Sequence, residues 1–156
     1  MARRRVIEVI VGLFAVSVAG SAWADNSPFV GRWHWNRAQS TTPSETSMPS
    51  DMIVEIARAD SMHVRLSMTV LGPNGQRDIE TFDAPGNGEF YPVSSGTTAA
   101  FRLTEDTIQA TFKGPAGQMD TLTCALGAGQ TTMTCRGVLS DENGRTSSYV
   151  DLFDRM

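Results

Sequence analysis

The chain has 156 residues, 40% of them hydrophobic, and a formal net charge of −4 from 13 basic and 17 acidic side chains. This length is typical of one domain and allows a sizeable hydrophobic core. The acidic balance argues against a nucleic-acid partner, because binding to a phosphate backbone depends on clustered Lys and Arg.

The first 24 residues have the pattern of an export signal. Arg3 to Arg5 precede an apolar run from Val9 to Gly20, and Ala22-Trp23-Ala24 offers a small-x-small cleavage site. The apolar run is shorter than the roughly 20 residues that a membrane helix needs. We therefore expect a cleaved signal peptide over 1–24, one domain over 25–156 and no membrane anchor after cleavage; an uncleaved anchor is the alternative. The expected location is the periplasm of a bacterium or the medium outside it.

After this leader, the predicted elements are β-strands. Apolar and polar side chains alternate with period two, as in half-buried antiparallel strands, and no long stretch has a helical period. The clearest example is SMHVRLSMTV, where Met62, Val64, Leu66 and Met68 share one face. Turn-forming residues separate nine or ten candidates, which favours a sandwich or an up-and-down barrel. In chain order, the candidates lie within 29–36, 51–59, 61–70, 77–82, 89–93, 98–104, 107–113, 120–126, 131–139 and 147–153.

One segment interrupts this pattern. Residues 37–50, RAQSTTPSETSMPS, are rich in Ser, Thr and Pro and carry almost no apolar side chain. A loop of this length in a compact domain is typically a binding lid or a flexible connector. A single capped turn over 44–46 is the most regular structure that we expect there.

Cys124 and Cys135 are the only cysteines, and they flank a predicted turn at Gly127–Gln130. Export would place them in an oxidising compartment, where disulfides persist. We expect a structural disulfide between them. A redox or metal-binding pair is the alternative, although neither a Cys-x-x-Cys spacing nor an adjacent His favours it.

Gly31-x-Trp33, near the start of the first strand of a β-meander, resembles the lipocalin (calycin) barrel signature. In that family the tryptophan closes one end of the barrel, and an arginine from the last strand packs across it. Arg155 is the residue that could take this part, since a guanidinium over an indole is a favourable cation–π pair. The resemblance implies an all-β, antiparallel up-and-down barrel of about 8–10 strands.

The chain is also similar to small secreted bacterial proteins of uncertain function that open with Gly-x-Trp-x-x-Asn-x-x-x-Ser. Gly31, Trp33, Asn36 and Ser40 match that spacing. The aromatic-x-Arg ending of those proteins is matched here by Phe153 and Arg155.

Several apolar side chains are candidates for contact with a ligand inside such a barrel. Trp35 has the strand parity of Trp33, which places it about 6.5–7 Å further along the same wall. Methionine adapts to variously shaped apolar partners and could line a cavity. The candidate methionines are Met52, Met62, Met68, Met119 and Met133. A filled interior, in which these side chains only pack against each other, is the alternative.

No pattern predicts catalysis, a metal site or a cofactor. His34 and His63 each fall on a polar face without partners at metal-ligand spacing, and the serines lack a Gly-x-Ser-x-Gly elbow. The carboxylates, Asp151 among them, are interpreted as scattered over turns rather than paired for acid–base work. The turn SDENGR is interpreted as a hairpin turn rather than a calcium loop.

We therefore expect a barrel that is not an enzyme and that binds a small apolar or amphipathic molecule in the cell envelope. The alternative is a protein-binding barrel, such as an inhibitor of an envelope protease or lysozyme, which would use loop 37–50 and a disulfide-braced hairpin. A hollow, apolar interior would favour the first hypothesis and a filled interior the second. Convergence of polar titratable groups inside the barrel would reopen the question of an enzyme.

Overall fold

The computed structural model describes residues 27–42, 48–93 and 96–156. The predicted leader over 1–24 and the predicted turn over 44–46 lie outside these ranges. The described part forms ten β-strands and one 3-10 turn at Ala128–Gln130. None of its residues belongs to a helix long and apolar enough to span a bilayer. The strands are β1 (Gly31–Trp35), β2 (Asp51–Ala59), β3 (Val64–Leu71), β4 (Arg77–Ala84), β5 (Tyr91–Pro92), β6 (Thr98–Leu103), β7 (Thr107–Lys113), β8 (Met119–Leu126), β9 (Thr132–Ser140) and β10 (Thr146–Arg155).

All ten strands are antiparallel and form one sheet that rolls into a nearly closed barrel, which confirms the predicted fold class. The strand order is β4-β3-β2-β1-β10-β9-β8-β7-β6-β5. The first strand therefore pairs with the last, with Trp33 opposite Arg155 and Trp35 opposite Phe153. Among the described strands, this pairing leaves β4 and the two-residue strand β5 as the edges of the sheet.

Aromatic side chains connect these two unpaired edges inside the barrel. The ring of Phe82, in β4, lies 6.4 Å from that of Tyr91 in β5, in an edge-on arrangement. The same ring lies 4.5 Å from Phe101 in β6. Both distances are typical of stabilising aromatic pairs. The wall is thus completed by side-chain packing where backbone pairing stops.

The alternation of side chains along β1 decides what lies inside. Trp33 and Trp35 are buried, whereas Arg32, before Trp33, and His34, between the two tryptophans, are exposed. The expected common parity of the two tryptophans is therefore present, and both indoles point into the barrel.

Trp33 and Arg155 form the base of the barrel. Trp33 is fully buried, and its indole N–H donates a hydrogen bond of 2.9 Å to the carbonyl oxygen of Phe29. The guanidinium carbon of Arg155 lies 4.1 Å from the ring centroid of Trp33, within cation–π range. The guanidinium also donates to the carbonyl oxygens of Pro28 and Val30, at 2.5 and 2.9 Å. Arg155 thus holds the end of the chain against the segment that enters β1.

Gly31 makes this arrangement sterically possible. Its φ of +146° lies where residues with a side chain are strained. A Cβ at this position would also come within 2.6 Å of Nη1 of Arg155. Glycine therefore leaves the space that the guanidinium occupies, which gives the Gly-x-Trp pattern a physical reason in this chain.

The predicted disulfide between Cys124 and Cys135 is confirmed. The two residues are directly opposite each other in β8 and β9, and both are buried on the inner face. In the chain-entropy model, a bond that closes a loop of about 12 residues adds roughly 3 kcal/mol. The crosslink braces the β8–β9 hairpin, whose strands are already neighbours.

Replacement of Trp33 tests the contribution of the base to stability. We expect Trp33→Ala to lower the free energy of unfolding by about 3–5 kcal/mol, because it removes a fully buried indole and the ring partner of Arg155. Urea denaturation followed by far-UV circular dichroism measures the change. Val138→Thr, at a 43% exposed position of β9, is the control and should stay within about 0.5 kcal/mol of wild type. A loss below about 1 kcal/mol for Trp33→Ala would contradict this account of the base.

Candidate functional site

The interior of the barrel contains a cavity of about 450 Å³. This volume is within the range of roughly 300–1,000 Å³ that is usual for small-molecule sites. Most of the lining side chains are aliphatic or aromatic, and they come from strands all around the barrel. They include Val54, Ile56, Leu66, Phe101, Ile108, Ala110, Phe112 and Leu122. The interior is therefore hollow. Of the two hypotheses drawn from the sequence, this arrangement favours the binding of a small apolar molecule.

Most of the side chains that the sequence singled out for ligand contact line this cavity. They are Trp35 from β1, Met52 from β2, Met68 from β3 and Met133 from β9. Trp35 and Met133 are almost completely shielded from solvent, and Met52 and Met68 are partly buried. Whether they bind a ligand stays a prediction.

Met62 and Met119 do not line the cavity, and the expectation for them is corrected. Met62 is 76% exposed in the turn before β3. The alternating pattern extends back to position 61, but the carboxylate of Asp60 accepts hydrogen bonds from the N–H groups of Met62 and His63 and forms a turn there. Met119 is 37% exposed at the start of β8, with the parity opposite to that of the inner face.

A hydrogen-bonded polar group interrupts the apolar lining on the wall formed by the neighbouring strands β1, β10, β9 and β8. The hydroxyl of Tyr149 donates to the carboxylate of Asp120, with oxygen–oxygen distances of 2.8 and 2.9 Å. The indole N–H of Trp35 donates to Oδ1 of Asp151 at 2.8 Å. All four side chains line the cavity. We call Asp120 and Asp151 the carboxylate pair.

Gly137 allows Tyr149 to reach Asp120. The two residues belong to β10 and β8, and β9 runs between them with Gly137 directly opposite Tyr149. A Cβ at position 137 would overlap the ring and hydroxyl of Tyr149. Because glycine has no side chain, the phenol lies across β9 and contacts a carboxylate two strands away.

Burial in this apolar environment shifts the pKa values of the polar group. Desolvation raises the pKa of Asp120 to about 6; the hydrogen bond from Tyr149 opposes this shift, and the charge of Asp151 adds to it. Desolvation also raises the pKa of Asp151, against the effect of the hydrogen bond from Trp35. Burial, and then the charge of Asp120, raise the pKa of Tyr149 well above its usual value, so its hydroxyl remains a donor.

A third carboxylate, that of Glu80 in β4, also lines the cavity. Desolvation, and then the charge of Asp78, raise its pKa. Among the cavity-lining side chains that the structure describes, none belongs to Lys, Arg or His. The polar part of the site is therefore acidic and has no basic counterpart in that lining.

Sequence reasoning missed this polar group. The interpretation of Asp151 as one of several carboxylates scattered over turns is wrong, because Asp151 lies within β10 and faces the cavity. Strand parity carried the signal: Asp120 is in phase with Leu122, and Tyr149 and Asp151 are in phase with Phe153. Titratable groups thus do converge inside the barrel, which the sequence interpretation did not expect.

The histidines lie away from the cavity. Nε2 of His34 is 2.8 Å from the carboxylate of Asp51 on the outer surface, and His63 contacts Asp83 there. Within the described ranges, no group of three or more His, Cys, Asp or Glu is arranged to hold a metal ion.

Comparison with known proteins supports the fold. No protein-family model matches the sequence, and no curated protein matches it. Among solved structures, the wild-type fluorescent protein UnaG is 16% identical with a TM-score of 0.55 over 82% of this chain and 97% of its own. A redesigned β-barrel is 11% identical with a TM-score of 0.53, covering 83% and 93%. EF1p2_mFAP2b, solved bound to DFHBI, is 9% identical with a TM-score of 0.51, covering 83% of this chain and 94% of its own. At these identities the likeness concerns the fold alone.

The raised pKa of Asp120 predicts a specific pH dependence of stability. Between about pH 4 and pH 6 the folded protein retains a proton on Asp120 that the unfolded chain releases, so this residue lowers stability as pH rises through that window. Asp120→Asn cannot titrate and keeps an acceptor for Tyr149. We expect its free energy of unfolding, relative to wild type, to rise from pH 4 to pH 6 and then level off.

Urea denaturation at a series of pH values measures this difference. Thr123→Asn, on the exposed face of the same strand as Asp120, changes no titratable group and is the control, so its difference from wild type should not depend on pH. A flat difference for Asp120→Asn as well would mean that Asp120 does not titrate abnormally in the folded protein.

Proposed function

We propose that this protein binds a small apolar or amphipathic molecule inside its barrel, without catalysing a reaction. Titratable groups do converge in the cavity, but Asp120 and Asp151 are each held by a donor of the same wall, Tyr149 or Trp35. The described lining offers no Lys, Arg or His as an acid–base partner for them. The observation that carries the proposal is the cavity of about 450 Å³ with its predominantly apolar lining. When a ligand covers apolar surface of this kind, the removal of that surface from water favours binding by roughly 25 cal/mol for each Å². A barrel whose only task was to present its outer surface to a protein partner would need no such hollow.

The structural neighbours give this proposal general support. One of them, EF1p2_mFAP2b, was solved bound to DFHBI, so a barrel of related architecture holds a small molecule. The side chains proposed to contact the ligand in this chain are Trp35, Met52, Met68 and Met133. The methionines can adapt to apolar partners of varied shape, whereas the hydrogen bond to Asp151 holds the Trp35 indole in place.

Binding of a neutral solvatochromic dye, Nile red, tests the proposal. We expect saturable binding to wild type and a loss of affinity of at least about tenfold in Ala110→Trp, because the indole would occupy the cavity. Gln109→Trp adds the same side chain to the outer face of the same strand and should stay within about twofold of wild type. Circular dichroism shows whether each variant is folded. Absence of saturable dye binding to wild type, or equal affinity in both variants, would contradict a ligand-binding interior.

We also propose that the protein works outside the bacterial cytoplasm, in the periplasm or the medium. The export pattern over 1–24 supports this location, and so does the disulfide between Cys124 and Cys135, since such bonds persist in oxidising compartments.

Intact mass spectrometry of the protein exported by its own leader from a bacterial host tests the location. We expect a chain that begins at Asp25 and lacks the two hydrogen atoms of a reduced cysteine pair. Thiol titration under denaturing conditions is the independent check and should detect no free thiol. Recovery of the full-length chain from the cytoplasm with two free thiols would contradict the proposed location.

A further inference from the structure

The carboxylates in the cavity have unused capacity to accept hydrogen bonds. Each carboxylate offers about four lone-pair positions. Among the described side chains, Asp120 accepts a hydrogen bond from the hydroxyl of Tyr149, and Asp151 accepts one from the indole N–H of Trp35. Most of the acceptor positions of the carboxylate pair therefore remain available on a wall that faces the cavity.

The charge of this wall is also uncompensated within the site. Glu80 adds a third carboxylate, and the described lining contains no Lys, Arg or His. A carboxylate in apolar surroundings costs free energy unless a cation or several hydrogen-bond donors accompany it. The cavity thus combines an apolar body with a carboxylate-bearing region for which the described lining supplies no counter-charge.

We infer that the ligand is an amphiphilic cation, with an apolar body that fills the cavity and a protonated amine that contacts Asp120 and Asp151. This inference rests on the proposed function and specifies the ligand class of the same cavity. An ammonium group supplies three donors and a positive charge, and charge-assisted hydrogen bonds are roughly twice as strong as neutral ones. A carboxylate ligand would instead place like charges together, and a neutral alcohol would bring a donor without the charge.

The arrangement of donors supports the same ligand class. Tyr149 and Trp35 each point their single donor at a carboxylate, so neither is free to donate to an anionic ligand. The two donors fix the positions of Asp120 and Asp151 without neutralising them. A ligand cation would therefore meet acceptors that are already oriented.

Three ligands with the same ten-carbon chain provide the test: decylamine, decan-1-ol and decanoate, each titrated at pH 7.5 against protein loaded with Nile red. Calorimetry provides a direct second measurement of each affinity. We expect decylamine to bind at least about tenfold more tightly than decan-1-ol, and decanoate to bind most weakly. This ranking in wild type tests the inference without any variant.

Substitution of the carboxylate pair tests the origin of the ranking. The double variant Asp120→Asn/Asp151→Asn keeps acceptors for Tyr149 and Trp35, and its affinities for decylamine and decan-1-ol should lie within about threefold of each other. Glu80 stays in the lining of this variant, so decanoate is still expected to bind most weakly. The matched control, Asp106→Asn/Glu142→Gln, makes the same change in net charge at exposed positions and should keep the wild-type ranking.

The possible failures are distinguishable. If Nile red binds but decylamine binds no better than decan-1-ol, or if decanoate binds best, the inference of a cationic ligand is wrong. The proposal that the cavity binds a small molecule is then unaffected. Persistence of the tenfold preference for decylamine over decan-1-ol in the folded Asn double variant would also overturn the inference. If neither the dye nor any of the three ligands binds wild type, the proposed function itself fails.

Discussion

The contact between Arg155 and Trp33 joins the two ends of the folded chain, and the hollow interior depends on that closure. Pairing of β1 with β10 joins two meanders, β1 to β4 and β5 to β10, into one sheet. At this seam the guanidinium covers a fully buried indole and binds carbonyl oxygens of Pro28 and Val30. Gly31 leaves the space for it. Because the base is closed by one indole and one guanidinium, the inner side chains further along the barrel do not have to fill its centre.

Small residues on the inner face then help to keep the centre open and decide how it is shaped. Ala110 contributes little volume to the cavity wall, and Gly137 contributes no side chain at all. The space above Gly137 is used by Tyr149, which bridges β10 and β8 through its contact with Asp120. The same barrel therefore has an apolar volume and a fixed polar wall. Both follow from inward-facing positions of only a few strands.

Period-two alternation allowed all ten strands to be predicted to within a few residues, because burial of one face is what specifies a strand. Pairing of Trp33 with Arg155 came from the family resemblance, and the structure has this contact. Strand alternation could not predict the turn at Met62 or the cavity inside the barrel. Met62 shares the alternation of β3, yet local hydrogen bonds to Asp60 make a turn there. Whether inner side chains meet at the barrel axis depends on the curvature of the whole sheet, so a cavity is not encoded in any one strand.

The carboxylate pair was not predicted from the sequence for a different reason. A carboxylate on an apolar face contradicts the alternating pattern by which strands are recognised. Asp120 and Asp151 each stand in an otherwise apolar set of inward-facing residues, where burial disfavours their charged forms and raises their pKa values. Apolar residues at these positions would avoid that cost. The buried carboxylates therefore lower the stability of the fold at a site that faces the cavity. Tyr149 and Trp35 nevertheless hold both of them in place. Such departures from local consistency are expected where a protein binds something, and here they occur together on one wall of the cavity.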